Sequence, residues 1–134
     1  MAHKDVEVAV EARLRAHWDR CEIRLENEDA QTPADGSAFL TLQFPFSEVR
    51  RWPVNARYYR EEGGFRLVLS MPTGTGTETI RDWGEDLRSL FIDSAFDGVV
   101  CQVPSSPMLD SQQGEGPYTL AMIVVPFTFN FTVA

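Results

Sequence analysis

One stretch constrains the fold more than any other. Gly63–Phe91, GGFRLVLSMPTGTGTETIRDWGEDLRSLF, reads as a strand, a Gly/Thr turn and a helix. Phe65, Leu67, Leu69 and Met71 alternate with Arg66 and Ser70, the period of two that marks a strand. Val68 on the outer face predicts that both faces are partly covered. Pro72 cannot donate to a ladder and ends the strand, and Gly74 and Gly76 free the backbone to turn. Ile80, Trp83, Leu87, Leu90 and Phe91 then recur at helical spacing, opposed by Arg81, Asp82, Glu85, Asp86 and Arg88. Thr75 and Glu78 have the spacing of a capping box, with Thr77 a second candidate cap.

A Thr-Gly-Thr-Gly-Thr turn between strand and helix invites comparison with a phosphate cradle, because helix N-termini attract anions. A Walker loop needs four residues between its glycines and a following Lys-Ser/Thr, and a dinucleotide fingerprint needs a third glycine. Neither pattern is present. The expectation is a tight strand-to-helix turn.

At 134 residues the chain has the size of one domain with a real core. A hydrophobic content of 43% against 24% charged residues belongs to a globular protein. No apolar run reaches membrane-spanning length, and MAHKDVEVAVEARLRAHW has acidic residues where a signal peptide has its apolar core. A chain made and used in the cytoplasm, or in an assembly built there, is expected, with no membrane partner. Cys21 and Cys101 make no disulfide framework. A net charge of −8 argues against a surface that holds nucleic acid, since such surfaces cluster Lys and Arg to displace counterions.

Taken in order, the chain begins with a helix from Asp5 to Trp18, in which Val6, Val10, Leu14 and Trp18 form one apolar stripe. Asp5 is the expected N-cap, and Glu7 and Glu11 suit the positive helix start. Cys21–Asn27 is a short strand with one buried face, and Glu28–Ser37 a polar surface loop. Ala38–Phe44 is the next strand. Pro45–Asn55 shows no clean period, so it reads as a long loop carrying Arg50, Arg51 and Trp52. Trp52 either folds back onto the core or, with the arginines, serves an interface, where Arg and Trp are enriched. Arg57–Arg60 forms a short strand, joined to Phe65 by a hairpin turn at Glu61–Gly64. Asp97-Gly98 stops the second helix, and Val99–Val103 is a short strand. Pro104–Pro117 is a polar loop, either mobile or ordered by a neighbour. Tyr118–Val133 is a long closing strand, in which Pro126 marks a bulge or a change of ladder partner. The fold class is therefore α/β (α+β): a single mixed or antiparallel sheet of about five or six strands with two packing helices.

Few residues could carry chemistry. His17 and Cys21 are four apart, but helical continuity to Cys21 is not expected and no second ligand pair accompanies them. Cys101 in an apolar strand is a small core residue. No Gly-x-Ser-x-Gly elbow occurs, and the carboxylates lie on solvated faces. The expectation is a chain with no catalytic, cofactor or metal site.

Helix, strands, strand–Gly/Thr turn–helix, strand, long final strand: in this order the chain resembles the small tail terminator (tail completion) proteins of long-tailed bacteriophages and phage-like gene transfer agents. The resemblance rests on VEVAVEARLRAHW, on FRLVLSMPTGTGTETIRDWGEDLRSLF and on GPYTLAMIVVPFTFNF with its Val-Pro-Phe. It implies a structural virion protein, not an enzyme, that assembles as a homo-hexameric ring. Such a ring caps the tail tube protein, ends polymerisation and joins the head through a connector or neck protein, with DNA passing through the lumen unbound. An acidic ring would repel DNA and let it slide. The residues expected at partner contacts are Arg50, Arg51, Trp52, Tyr58 and Tyr59, with the Ser105–Gly116 loop second. Rival readings are another neck or tail protein, such as a connector or tube subunit, and a small ligand-binding domain or enzyme using a pocket under Gly74–Thr77.

Overall fold

The chain runs α1 (Lys4–His17), β1 (Glu22–Leu25), β2 (Phe39–Arg51), β3 (Tyr58–Pro72), α2 (Thr77–Phe91), β4 (Ala95–Phe96), β5 (Val99–Cys101), β6 (Met108–Asp110) and β7 (Tyr118–Thr132). This is the arrangement in a computed structural model, which describes residues 3–25, 37–51, 57–72, 77–106, 108–110 and 118–132. All seven strands join one sheet in the order β1-β2-β3-β7-β5-β4, with β6 on β7. Only β1 and β2 are parallel; the other pairs are antiparallel. The single mixed sheet with two packing helices is as expected, and it gains two short strands, β4 and β6.

Register explains where the core lies. Leu40, Leu42, Phe65, Leu67, Leu69, Ala121, Ile123, Val125 and Phe127 all point to one face of the sheet and are buried. Both helices cover that face: Val6, Val10 and Leu14 of α1 and Ile80, Leu87 and Phe91 of α2 complete the core. Phe65 and Phe91 meet edge-on with centroids 5.1 Å apart. Each such fully buried Leu or Phe contributes roughly 1.5–3 kcal/mol. The helices are joined by the Arg13 guanidinium, which donates to the Leu90 carbonyl at 3.0 and 2.9 Å, and by Trp18 against Trp83.

Several sequence expectations are corrected. The expected loop from Pro45 onward is strand: β2 continues to Arg51, with one shift of register between Gln43 and Phe46. That extra residue is a bulge, and it inverts the alternation. Before it Leu40, Leu42 and Phe44 face the core; after it Phe46, Glu48 and Arg50 face away from the helices. The inversion is why residues 45–51 show no single period.

The expected hairpin turn at Glu61–Gly64 lies mid-strand in β3. A Cβ on Gly63 would sit 2.6 Å from the Phe46 carbonyl oxygen and 2.9 Å from Ser47 Cα, so the glycine is what lets the bulged strand pass. Helix α2 ends at Phe91, before the expected stop, and Asp97-Gly98 instead forms the two-residue turn between β4 and β5. Positive φ at both residues, 48° and 85°, suits such a hairpin. Part of the expected Pro104–Pro117 loop is β6, paired to β7. The N-cap of α1 is His3, not Asp5: its side chain accepts from the Asp5 backbone N–H at 3.1 Å. Pro126 does mark a change of partner. It stays in register with Gly64 of β3, while β7's other edge passes from β6 at Met122 to β5 at Phe127. Its carbonyl accepts from Gln102 on that edge, the side on which a proline has no N–H to offer.

Candidate functional site

Toward one end the sheet is built from Phe46–Arg51 of β2, Tyr58–Gly64 of β3 and Phe127–Thr132 of β7, with β5 beside β7 from Phe127 to Phe129. Of the residues expected at contacts, Arg51 and Tyr59 are brought together, with the guanidinium 5.7 Å from the ring centroid. They share the helix-side face with Val49, Glu61, Phe129 and Phe131. Arg50 and Tyr58 fall on the opposite face, because neighbours along a strand alternate. Trp52 lies outside the described residues, as do Gly74 and Gly76 of the central turn.

On the helix side an aromatic ladder crosses the strands. Tyr59 stacks on Phe131 at 5.5 Å and 18°, and Phe131 stacks on Phe129 at 5.9 Å. The His3 ring lies 4.7 Å from Phe131 and 5.2 Å from Phe129. Beneath it Glu61 is 2% exposed, and its two carboxylate oxygens accept from the His3 backbone N–H at 3.0 and 3.1 Å. The carboxylate therefore sits at the positive start of α1, which secures the helix to the sheet. Sequence reasoning missed Glu61, since a lone Glu carries no mark of a donor 58 positions away.

The face away from the helices carries charge in rows. Glu48 is in register with Glu62, and Arg50 with Arg60. Each arginine is ion-paired along its own strand, Arg50 with Glu48 at 3.2 Å and Arg60 with Glu62 at 3.2 Å. The Glu48 carboxylate, hydrogen-bonded to Arg50, raises its pKa further above the usual range. Phe46 and Val49, also missed from sequence, are 57% and 49% exposed. A slip of one residue at Pro45 would have revealed them. An open groove of about 420 Å³ runs beside Phe46, Glu48, Glu62, Gln102 and Thr128.

Neither this groove nor a second one gathers catalytic groups. The second, about 450 Å³, is lined by Arg20, Thr79, Asp82, Trp83, Glu85 and Asp86. There Arg20 is engaged by Asp86 and lies over the Trp83 ring. Among the described residues no three His, Cys, Asp or Glu side chains are grouped to hold a metal ion. Helix α1 ends at His17, and Cys21 accepts the Trp18 indole N–H at 3.4 Å. Burial raises the Cys21 pKa despite that hydrogen bond, so its thiol is not an activated one. In the second expected contact segment, Ser105 is tied to β7: it donates its N–H to Val124 and accepts back through Oγ. Residues 107 and 111–116 lie outside those described.

The arrangement offers exposed strand, aromatic and guanidinium surface and no reaction centre among the described residues. A family model for the phage tail terminator protein matches residues 5–127. The chain belongs to the phage tail terminator family. It is thus a structural component of a phage tail, a role that calls for contacts with other tail or head proteins. No curated protein matches the chain. A solved structure 19% identical in sequence matches with a TM-score of 0.62, covering 100% of this chain and 99% of that one, and shares the terminator's fold. No helix among the described residues is long and apolar enough to cross a membrane.

Proposed function

We propose that the chain closes into a homo-hexameric ring that caps the finished tail tube, stops the addition of tube subunits and presents the surface on which the head docks. The observation that carries this reading is the match to the tail terminator family over residues 5–127. The geometry supports it with material for contacts between subunits. Arg50, Arg51, Tyr58 and Tyr59 lie on an extended, partly exposed end of the sheet, and we assign them to the neighbouring subunit or the tube. The Ser105–Gly116 segment is the second contact surface. At −8 per chain, the ring's acidic lumen lets DNA pass without holding it.

The test is growth of tail tubes from purified tube subunits with this protein added. Tubes that stop lengthening, each with one end covered, are the expected result. Tubes that grow unchanged at saturating protein would overturn the reading.

A further inference from the structure

We propose that the open groove on the sheet face away from the helices takes an arginine side chain presented by another tail or head protein. The groove follows from the register. Glu48, Glu62, Thr128 and Val100 stand in one row across β2, β3, β7 and β5. In the next row Phe46 is beside Gly64, and Gly64 beside Pro126. A Cβ on Gly64 would sit 2.9 Å from the tip of the Phe46 ring, so the missing side chain lets that ring reach over β3. Gln102, whose N–H donates to the Pro126 carbonyl, lines the far side. Between these residues lies a volume of about 420 Å³.

The lining suits a cation. The Glu48 and Glu62 side chains are 67% and 53% exposed, and a carboxylate only accepts hydrogen bonds. Their ion pairs with Arg50 and Arg60 are exposed ones, which contribute little and leave both carboxylates open to a better-placed donor. Like charges in register repel, and a cation between them relieves that cost. Phe46 is 57% exposed, and the face of an aromatic ring attracts a guanidinium. Thr128 decides the matter. It is 8% exposed and lines the groove, yet its hydroxyl has no hydrogen-bond partner among the described residues. A buried hydroxyl left unpaired is costly, and a donor entering the groove satisfies it.

The same features select the occupant. A planar guanidinium forks onto carboxylates and stacks on a ring, which an ammonium does not. A metal ion fits poorly, since among the described residues no third His, Cys, Asp or Glu joins the two carboxylates. Sites for free small molecules bury most of their ligand, whereas this groove is open and suits a side chain carried on a protein surface. A second copy would bring its own net charge of −8 against an acidic rim, so the arginine belongs to a different protein. That this protein is a tail or head component rests on the proposed function.

The experiment is a titration of the isotope-labelled chain, followed through its amide NMR signals. The probes are the end-blocked tripeptide Gly-Arg-Gly and Gly-citrulline-Gly, its neutral isostere. The arginine peptide should shift the amides of Phe46, Glu48, Glu62 and Thr128 and saturate at millimolar concentration; the citrulline peptide should not. Glu48→Gln with Glu62→Gln should weaken binding about tenfold or more, and Thr128→Val roughly threefold. Asp82→Asn with Glu85→Gln removes the same charge from exposed positions on α2 and should change nothing. The spectra themselves show that each variant is folded. Shifts that do not saturate, that the citrulline peptide matches, or that ignore either groove variant overturn the proposal. An α2 variant that weakens binding equally reduces the effect to net charge and overturns it too. So does movement of the same amides when protein concentration alone is raised, which would make a second copy the occupant. Tube capping is read separately: capping without saturable peptide binding removes this inference alone, and binding without capping removes the ring alone.

Discussion

Cys101 and Glu61 show how differently single residues can be read. Cys101 sits in an apolar run and is 2% exposed, as its neighbours Val99 and Val100 suggest for a small core side chain. Burial pushes its thiol pKa up to about 11 from an ordinary 9.0, against smaller lowering effects of Ser94 and Arg13. The folded state therefore holds the proton more tightly than the unfolded chain. The resulting stability is fully present below pH 9.0 and is lost as the pH rises through about 11. Cys21 titrates upward too, so the comparison belongs in a Cys21→Ser background. There, urea stability should fall between these pH values, and Cys101→Ala should flatten that fall whatever it costs at neutral pH. Equal slopes in both proteins would contradict the assignment. Glu61 was not legible, because its meaning depends on His3 arriving from the far end of the chain.

At the scale of elements, periodicity revealed what a single period governs. The stripe Val6, Val10, Leu14, the alternation through Phe65–Met71 and the long closing strand are all present as read. What failed was β2 and its partner, where a bulge inverts the alternation at Pro45 and a glycine pair imitates a turn. Local chemistry favours a turn at Glu-Glu-Gly-Gly; the ladder to β7, continuous from Tyr58 to Pro72, overrides it. The two glycines make different demands, and that difference can be measured. A methyl group on Gly63 would strike the backbone of β2 at 2.6 and 2.9 Å, which no rotamer change relieves. On Gly64 its nearest neighbour is the tip of the Phe46 ring at 2.9 Å, and that ring is exposed enough to swing aside. Gly63→Ala should thus cost about 1–3 kcal/mol in chemical denaturation and disturb the β2–β3 amides in exchange. Gly64→Ala should cost clearly less. Equal costs would mean that the bulge yields, and that Gly63 is not what permits it.

For the whole molecule, the helices settle which part of the sheet is available to partners. They bury one face through Phe129 and Glu61 and leave the far end of β2 exposed at Glu48, Val49, Arg50 and Arg51. Family membership was within reach of sequence because the diffuse order of elements spans most of the chain. The placement of the proposed contact residues was not, since it depends on a register shift that no motif announces. Arg51 and Tyr59 prove to be neighbours, while Arg50 faces the other way toward Glu48. Truncating both arginines separates a structural from an assembly role. Neither side chain enters the core, and both positions are exposed, so Arg50→Ala with Arg51→Ala should leave the thermal midpoint unmoved. In tail assembly the same double variant should leave tubes uncapped or heads unjoined, because it removes guanidinium groups from both faces of the extended end. The fraction of tails carrying heads, counted by electron microscopy after complementation, is the measurement. Normal particles from a normally folded variant would remove this end of the sheet from the contact surface and leave the Ser105–Gly116 segment as the remaining assignment. A variant that melts early would show instead that Arg51 over the Tyr59 ring serves the fold.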